Sequence, residues 1–402
     1  MRWAILRFTK LMKVDLQRFS TDNPLPMHKV VHSQALKDAL ARKGWTQKQL
    51  ADAMGVSAQS VTNWLQGNDF PRPDKLLRLA TTLRLRLNQL VQDTQPVGAQ
   101  PVVAFRRRAG TKTTDAHIAK AQAMGALLGP LVDHLPPLRA LRTELPDPST
   151  VYADLQRAVA QTRDKLGIGQ KAELQYATLI GEFAANDAFI VPVMWGEKQR
   201  HENALHILLP AQHVTFIYLN LDTRMEDFKF WMAHELAHVY TPDIAGSEEG
   251  EDFADAFAGA LLFPRLLAEQ AYRELATTPR KASAIAVLKR HAAEHSISMF
   301  TVYREAQAFA RAGRLPLLTL SEGTDIHAVR NSQRGPLVST LLFDPLPPDP
   351  LAYLAAARNT FGSEFFSSLQ RMLRAHGTGP GYLQQVLDVP LADAMALHAA
   401  LR

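Results

Sequence analysis

The segments FKFWMAHELAHVY, residues 228–240, and GEDFADAFAGALLFP, residues 250–264, decide how the larger part of this chain reads. His234 and His238 are four residues apart. On a helix that spacing separates them by about 40° in azimuth and ~6 Å in rise, so both imidazoles can reach one ion. Glu235 falls on the flank of that face, where it is badly placed to be a ligand but well placed to take a proton from an activated water. Thirteen residues after His238 stands Glu251, and Asp255 follows one turn later, with Ala254, Phe257, Ala258 and Leu261 forming the apolar side. A third ligand that is a carboxylate, and a second carboxylate that orients a ligand imidazole, complete such a site. Glu251 shares a helix face with Asp255 and the small Ala258 and is the expected ligand; Glu248 and Glu249 are its rivals.

Taken together, these two segments resemble the ImmA/IrrE family of zinc metallopeptidases, whose plan is similar to that of the thermolysin-like gluzincins. The resemblance spans roughly Asp154 to Arg311 and includes FIYLN, residues 216–220, ahead of the motif helix. It implies an α+β fold, Zn2+ held by His234, His238 and Glu251, Glu235 as general base, Asp255 behind the ligands, and hydrolysis of a protein substrate, a repressor or the chain itself. Three apolar, β-rich runs precede the motif: Ala188–Met194, Leu205–Leu209 and Val214–Leu219. The last is expected to be a sheet edge to which an extended peptide adds as a further strand. Tyr240 and Tyr303 are candidates for holding the oxyanion. Downstream, residues 281–312 read as two helices joined by HSIS and are expected to pack on the peptidase.

The front of the chain carries a different pattern, centred on TQKQLADAMGVSAQSVTNWLQG, residues 46–67. Helices are expected over Gln34–Lys43, Thr46–Met54, Ser57–Leu65 and Pro73–Leu83. Thr46 and Ser57 stand at N-cap positions, and Gln49 completes a capping box. Gly55 suits the tight turn, Ala51 is small where helices approach, and Leu50, Val56, Val61, Leu65 and Trp64 supply a core. This stretch resembles the Cro/C1-type (XRE) helix-turn-helix family over about sixty residues. The resemblance implies a double-stranded DNA partner, with Ala58, Gln59, Thr62 and Asn63 near base edges and Gln47, Lys48 and Ser60 on phosphates.

Composition agrees with two kinds of work on one polypeptide. The 402 residues carry a net charge of +6, which divides into roughly +12 over the first 112 and roughly −6 over the rest. Cys is absent, which excludes disulfides, Cys-bound zinc, iron–sulfur clusters and thiol nucleophiles and fits a cytoplasmic location. No apolar run reaches the 18 or so residues that span a bilayer, so no membrane role is expected. The opening MRWAILRFTKLMKV is broken by Arg7, Lys10 and Lys13 and reads as a tail; Met27 is a second plausible start.

The expected architecture is a multidomain chain. A tail over 1–30 precedes an all-α helix-turn-helix domain over 31–93. A linker with a basic knot at Arg106–Arg108 and one helix occupies 94–150. A gluzincin-like α+β metallopeptidase domain follows over 151–314, then a mixed region of unknown role over 315–402, with strand-like Leu337–Phe343. The function this implies is a transcriptional regulator, expected as a homodimer on a two-fold operator, with a zinc endopeptidase attached. The alternative is a regulator or antitoxin whose zinc domain senses or scaffolds without hydrolysis.

Overall fold

The computed structural model describes residues 29–66, 71, 73–83, 85, 90–93, 101–105, 115–139, 142–196, 203–332 and 335–402. They fall into two compact units, one within Thr21–Ala99 and one within Gln100–Arg402. The tail segment MRWAILRFTKLMKV, Met27 and the basic knot Arg106–Arg108 lie outside the described residues.

The front unit runs β1 (Lys29–Val31), α1 (Ser33–Lys43), α2 (Gln47–Met54), α3 (Ala58–Gln66), α4 (Pro73–Leu83) and β2 (Val91–Asp93). At the start of α2 the Thr46 side chain accepts from Gln49 N at 3.2 Å, and Gln49 Oε1 accepts from Thr46 N at 2.8 Å. Two of the helix's orphan donors are thereby satisfied. Gly55 ends α2 at φ 63°, a left-handed conformation that a side chain would strain. Leu36, Leu50, Met54, Val61, Trp64 and Leu79 form the core, with Val56 and Leu65 half-buried at its margin. One difference from expectation is the ribbon that closes the unit. Lys29 pairs with Asp93 and Val31 with Val91, so the end of the expected tail and both ends of the domain expected to be all-α form strands, and the unit is not wholly helical. Three-residue strands are too short to show a period in sequence.

The second unit opens with β3 (Val102–Phe105), α5 (Asp115–Leu128), a 3-10 turn over Gly129–His134, α6 (Tyr152–Lys165) and α7 (Tyr176–Ala185). β4 (Ala188–Val193), β5 (Ala204–Leu209) and β6 (Val214–Asn220) follow, then α8 (Met225–Tyr240), α9 (Glu248–Leu262), α10 (Arg265–Ala276), α11 (Lys281–His295) and α12 (Met299–Ala312). The chain closes with α13 (Pro350–Phe361), α14 (Phe365–His376), α15 (Pro380–Leu387) and α16 (Leu391–Leu401). The sheet order is β3-β5-β6-β4, with β4 parallel to β6 and the other pairs antiparallel.

This order corrects three expectations. Val102–Phe105, read as linker, is a strand of the sheet. Val214–Leu219, read as an edge for an incoming peptide, lies between β5 and β4 with every residue buried; an apolar run without alternation is the signature of an interior strand. Leu337–Phe343 is not a strand: Val338–Leu342 forms a short helix, and Leu337 makes an isolated bridge to Arg224. A short apolar run does not by itself separate helix from strand.

The C-terminal helices belong to this same core. Phe216 on β6 meets Phe365 edge-on at 6.1 Å, and Tyr218 OH donates to the Val386 carbonyl at 2.8 Å. On β4, the Ile190 carbonyl accepts from Ser363 at 2.5 Å and the Pro192 carbonyl from Tyr353. Phe216 and Tyr218 thus face the C-terminal helices. Strand alternation turns Ile217 to the opposite face, the one that α8 covers.

Candidate metal centre and nucleic-acid interface

α8 begins with Glu226 and Asp227 in its first turn, where the positive end of the helix dipole favours them. From Trp231 to Tyr240 the helix is wholly buried. α9 packs alongside it, capped by Ser247, which accepts from Gly250 N at 2.9 Å. On α9, Gly259 lies against the Glu305 carboxylate of α12, where a Cβ would crowd its Oε1.

Between α8 and α9, side chains from three turns converge. His234 Nε2 and His238 Nε2 are 3.2 Å apart; Glu251 Oε1 is 3.2 Å from His238 Nε2, and Oε2 is 3.5 Å from His234 Nε2. Among the described residues these three form the group able to hold a metal, with ligand atoms all within 4.8 Å of one another. Atoms about 2.0–2.1 Å from a tetrahedral ion lie about 3.3 Å from each other, so the donor set fits such an ion without rearrangement. Asp255 Oδ1 stands 3.0 Å from His234 Nδ1, behind the ligand nitrogen. Such a partner fixes ring orientation and tautomer. Glu248 and Glu249 are exposed and stand outside the group.

The imidazoles and carboxylates of the cluster shift one another strongly. Burial alone would lower His234, but Asp255, Glu251 and Glu235 outweigh it and hold its proton up to about 9. Burial also pushes the Glu251 carboxyl up, yet the two imidazoles together hold it at about 2. Glu235 is 2% exposed, and burial raises it to about 7 despite the opposing pull of His234 and His238. A carboxyl poised near neutrality, beside a group of metal ligands, is the usual setting of a proton acceptor.

Two expected oxyanion holders are engaged elsewhere. Tyr240 OH donates to Glu182 Oε1 at 2.7 Å, an anchor shared with Lys165 and Asn186. Tyr303 OH donates to the Leu320 carbonyl. Both hydroxyls are thus taken up by partners other than the His234, His238 and Glu251 group. Conversely, sequence reasoning missed His206 on β5. Its Nδ1 lies 3.5 Å from Glu235 Oε2, and its ring meets His238 edge-on at 5.5 Å. The only available signal was one polar residue inside the apolar run ALHILL.

In the front unit, α3 exposes a polar face. Gln59 Nε2 donates to Asn63 Oδ1 at 2.9 Å, and Thr62 donates to the Ala58 carbonyl at 3.1 Å and to Gln47 Oε1 at 3.3 Å. Ala58 and Lys48 are exposed, while Ser60 shares the helix cap with Ser57 at 2.9 Å. Trp64 is buried on the opposite side. Lys75 and Arg78 of α4 donate to the Met54 and Ala53 carbonyls, tying α4 to the end of α2.

Residues 36–90 match the model of the helix-turn-helix family HTH_3. The match covers most of α1 and all of α2 to α4 and supports a DNA-binding transcriptional regulator. Among curated proteins and among solved structures, none matches the chain. No helix among the described residues is long and apolar enough to cross a membrane.

Proposed function

We propose that this chain is a DNA-binding transcriptional regulator that carries a zinc-dependent endopeptidase domain and cleaves a repressor or another copy of itself. The observation that carries the second half is the convergence of His234, His238 and Glu251, with a buried Glu235 of raised pKa beside them. His234, His238 and Glu251 would hold Zn2+, and Asp255 would orient His234. A zinc ion there supplies Lewis-acid activation of a water and of a scissile carbonyl. Glu235 accepts the proton released as the water attacks and returns it to the departing amine. The peptide would add to the sheet at β3, because β4 is the other edge and its Ile190 and Pro192 carbonyls are already engaged by Ser363 and Tyr353. On the DNA side, Gln59, Thr62 and Asn63 would read bases and Gln47, Lys48 and Ser60 would touch phosphates, in a homodimer.

A second reading, a regulator whose metal domain senses or scaffolds without hydrolysis, is favoured by one observation. His234, Glu235 and His238 are all at most 2% exposed, and only Glu251 and Asp255 lead outward. Elemental analysis of the wild type beside His238→Ala, with a gel assay for cleavage of the chain and of a co-encoded repressor, separates the readings. About one zinc per chain, lost in the variant together with cleavage, supports the peptidase. Zinc without cleavage supports the sensor, and no zinc under metal-replete conditions rejects both.

A further inference from the structure

β5 reads ALHILL, and His206 is the one polar residue in a strand whose six positions are all buried. Its side chain is 1% exposed, and neither ring nitrogen makes a hydrogen bond with a described residue. A buried polar atom left without a partner is costly, so a strand core has no packing reason to hold an imidazole where a leucine would serve. His206 pairs in register with Ile217, which faces α8, and the imidazole points at that helix. There its Nδ1 is 3.5 Å from Glu235 Oε2, an oxygen that also lacks a hydrogen-bond partner. His206 is not part of the group whose ligand atoms lie within 4.8 Å of one another. It faces Glu235 from outside that group.

A neutral imidazole carries one N–H donor and one acceptor nitrogen. Toward ionised Glu235, the form that can accept a proton, the nitrogen at Nδ1 is the donor, and a closure of about half an ångström brings the pair to ordinary hydrogen-bond length. We propose that His206 is a positioning residue for the metal centre: its Nδ1–H holds Glu235 through Oε2 and leaves Oε1 for proton transfer. The contact stands on the geometry alone, and its role in turnover rests on the peptidase reading above.

The full-length, zinc-loaded protein with 15N-labelled histidine tests the contact by NMR, with His206→Leu assigning the signal. The expected result is a neutral His206 protonated at Nδ1, whose Nδ1 resonance moves in Glu235→Gln. A proton at Nε2, or no response to Glu235→Gln, overturns the proposal. Cleavage of β-casein and of the Glu235→Gln chain, offered in trans, tests the role. His206→Asn keeps an N–H near the Nδ1 position and should stay within about threefold of wild type, whereas His206→Leu should lose ~10–100-fold in kcat at unchanged KM and zinc content. Full activity in His206→Leu, or loss of its zinc, overturns the positioning role. If the wild type cleaves neither probe while the Nδ1 signal responds as expected, the peptidase reading fails and the contact stands.

Discussion

Glu235 and Glu305 show one residue type in two settings of one core. Both are buried glutamates with raised pKa values, but Glu235 stands beside three metal-competent ligands and Glu305 faces Gly259 across a helix contact. Glu235→Gln keeps the shape and removes the base; metal content should stay at the wild-type level while cleavage falls by ~10²–10⁴-fold, measured at matched zinc loading. A variant that cleaves as well as the wild type would exclude Glu235 as the base. For Glu305, burial lifts the carboxyl from 4.5 to about 8, opposed by Arg304. The folded chain therefore binds this proton more tightly than the unfolded chain. The resulting stabilisation is complete below pH 4.5 and fades as the pH rises through about 8. Glu305→Gln should remove that dependence and be more stable than the wild type at pH 8 by on the order of a few kcal/mol, read from urea unfolding at pH 5 and pH 8. Parallel losses in both proteins would refute the assignment.

At the scale of elements, the helices of the front unit are placed by their ends. The reciprocal bonds between Thr46 and Gln49 start α2, and the left-handed Gly55 stops it. Thr46→Ala should cost about 1 kcal/mol in the thermal stability of that unit, followed by circular dichroism. α3 presents its polar face with Gln59 and Asn63 already hydrogen-bonded to each other. In binding assays across operator variants, Asn63→Ala should relax base preference by about 1–3 kcal/mol at one position, whereas Lys48→Ala should weaken every sequence alike and reduce the salt slope. Equal effects of both substitutions on all sequences would remove base reading from α3. In the second unit, α8 and α9 bring His234, His238 and Glu251 together because one face of each carries small or metal-competent side chains at helical spacing.

For the molecule as a whole, the last ninety or so residues are part of the sheet's own core. Val386, Leu387, Ser363 and Tyr353 are hydrogen-bonded to Tyr218, Trp195, Ile190 and Pro192. A chain ending at residue 314 should therefore be insoluble or lack near-ultraviolet circular dichroism, because Phe216 and the β4 edge lose their cover. A soluble, folded fragment that binds zinc would show that the C-terminal helices are dispensable. The contrast between reading and structure is sharpest here. Local chemistry was legible in sequence: the four-residue spacing of His234 and His238, the carboxylates one turn apart at Glu251 and Asp255, the capping box at Thr46 and the turn at Gly55 all act within a helix or across one turn. Tertiary structure alone decided the rest. Which strand lies at an edge depends on pairing between distant segments, and it placed β6 inside the sheet with β3 and β4 at its edges. The meeting of His206 on β5 with Glu235 on α8 depends on how a sheet face stacks on a helix. The engagement of Tyr240 and Tyr303 away from the site depends on the partners that face them. Periodicity along the chain reports the face on which a residue lies, and only packing determines what that face meets.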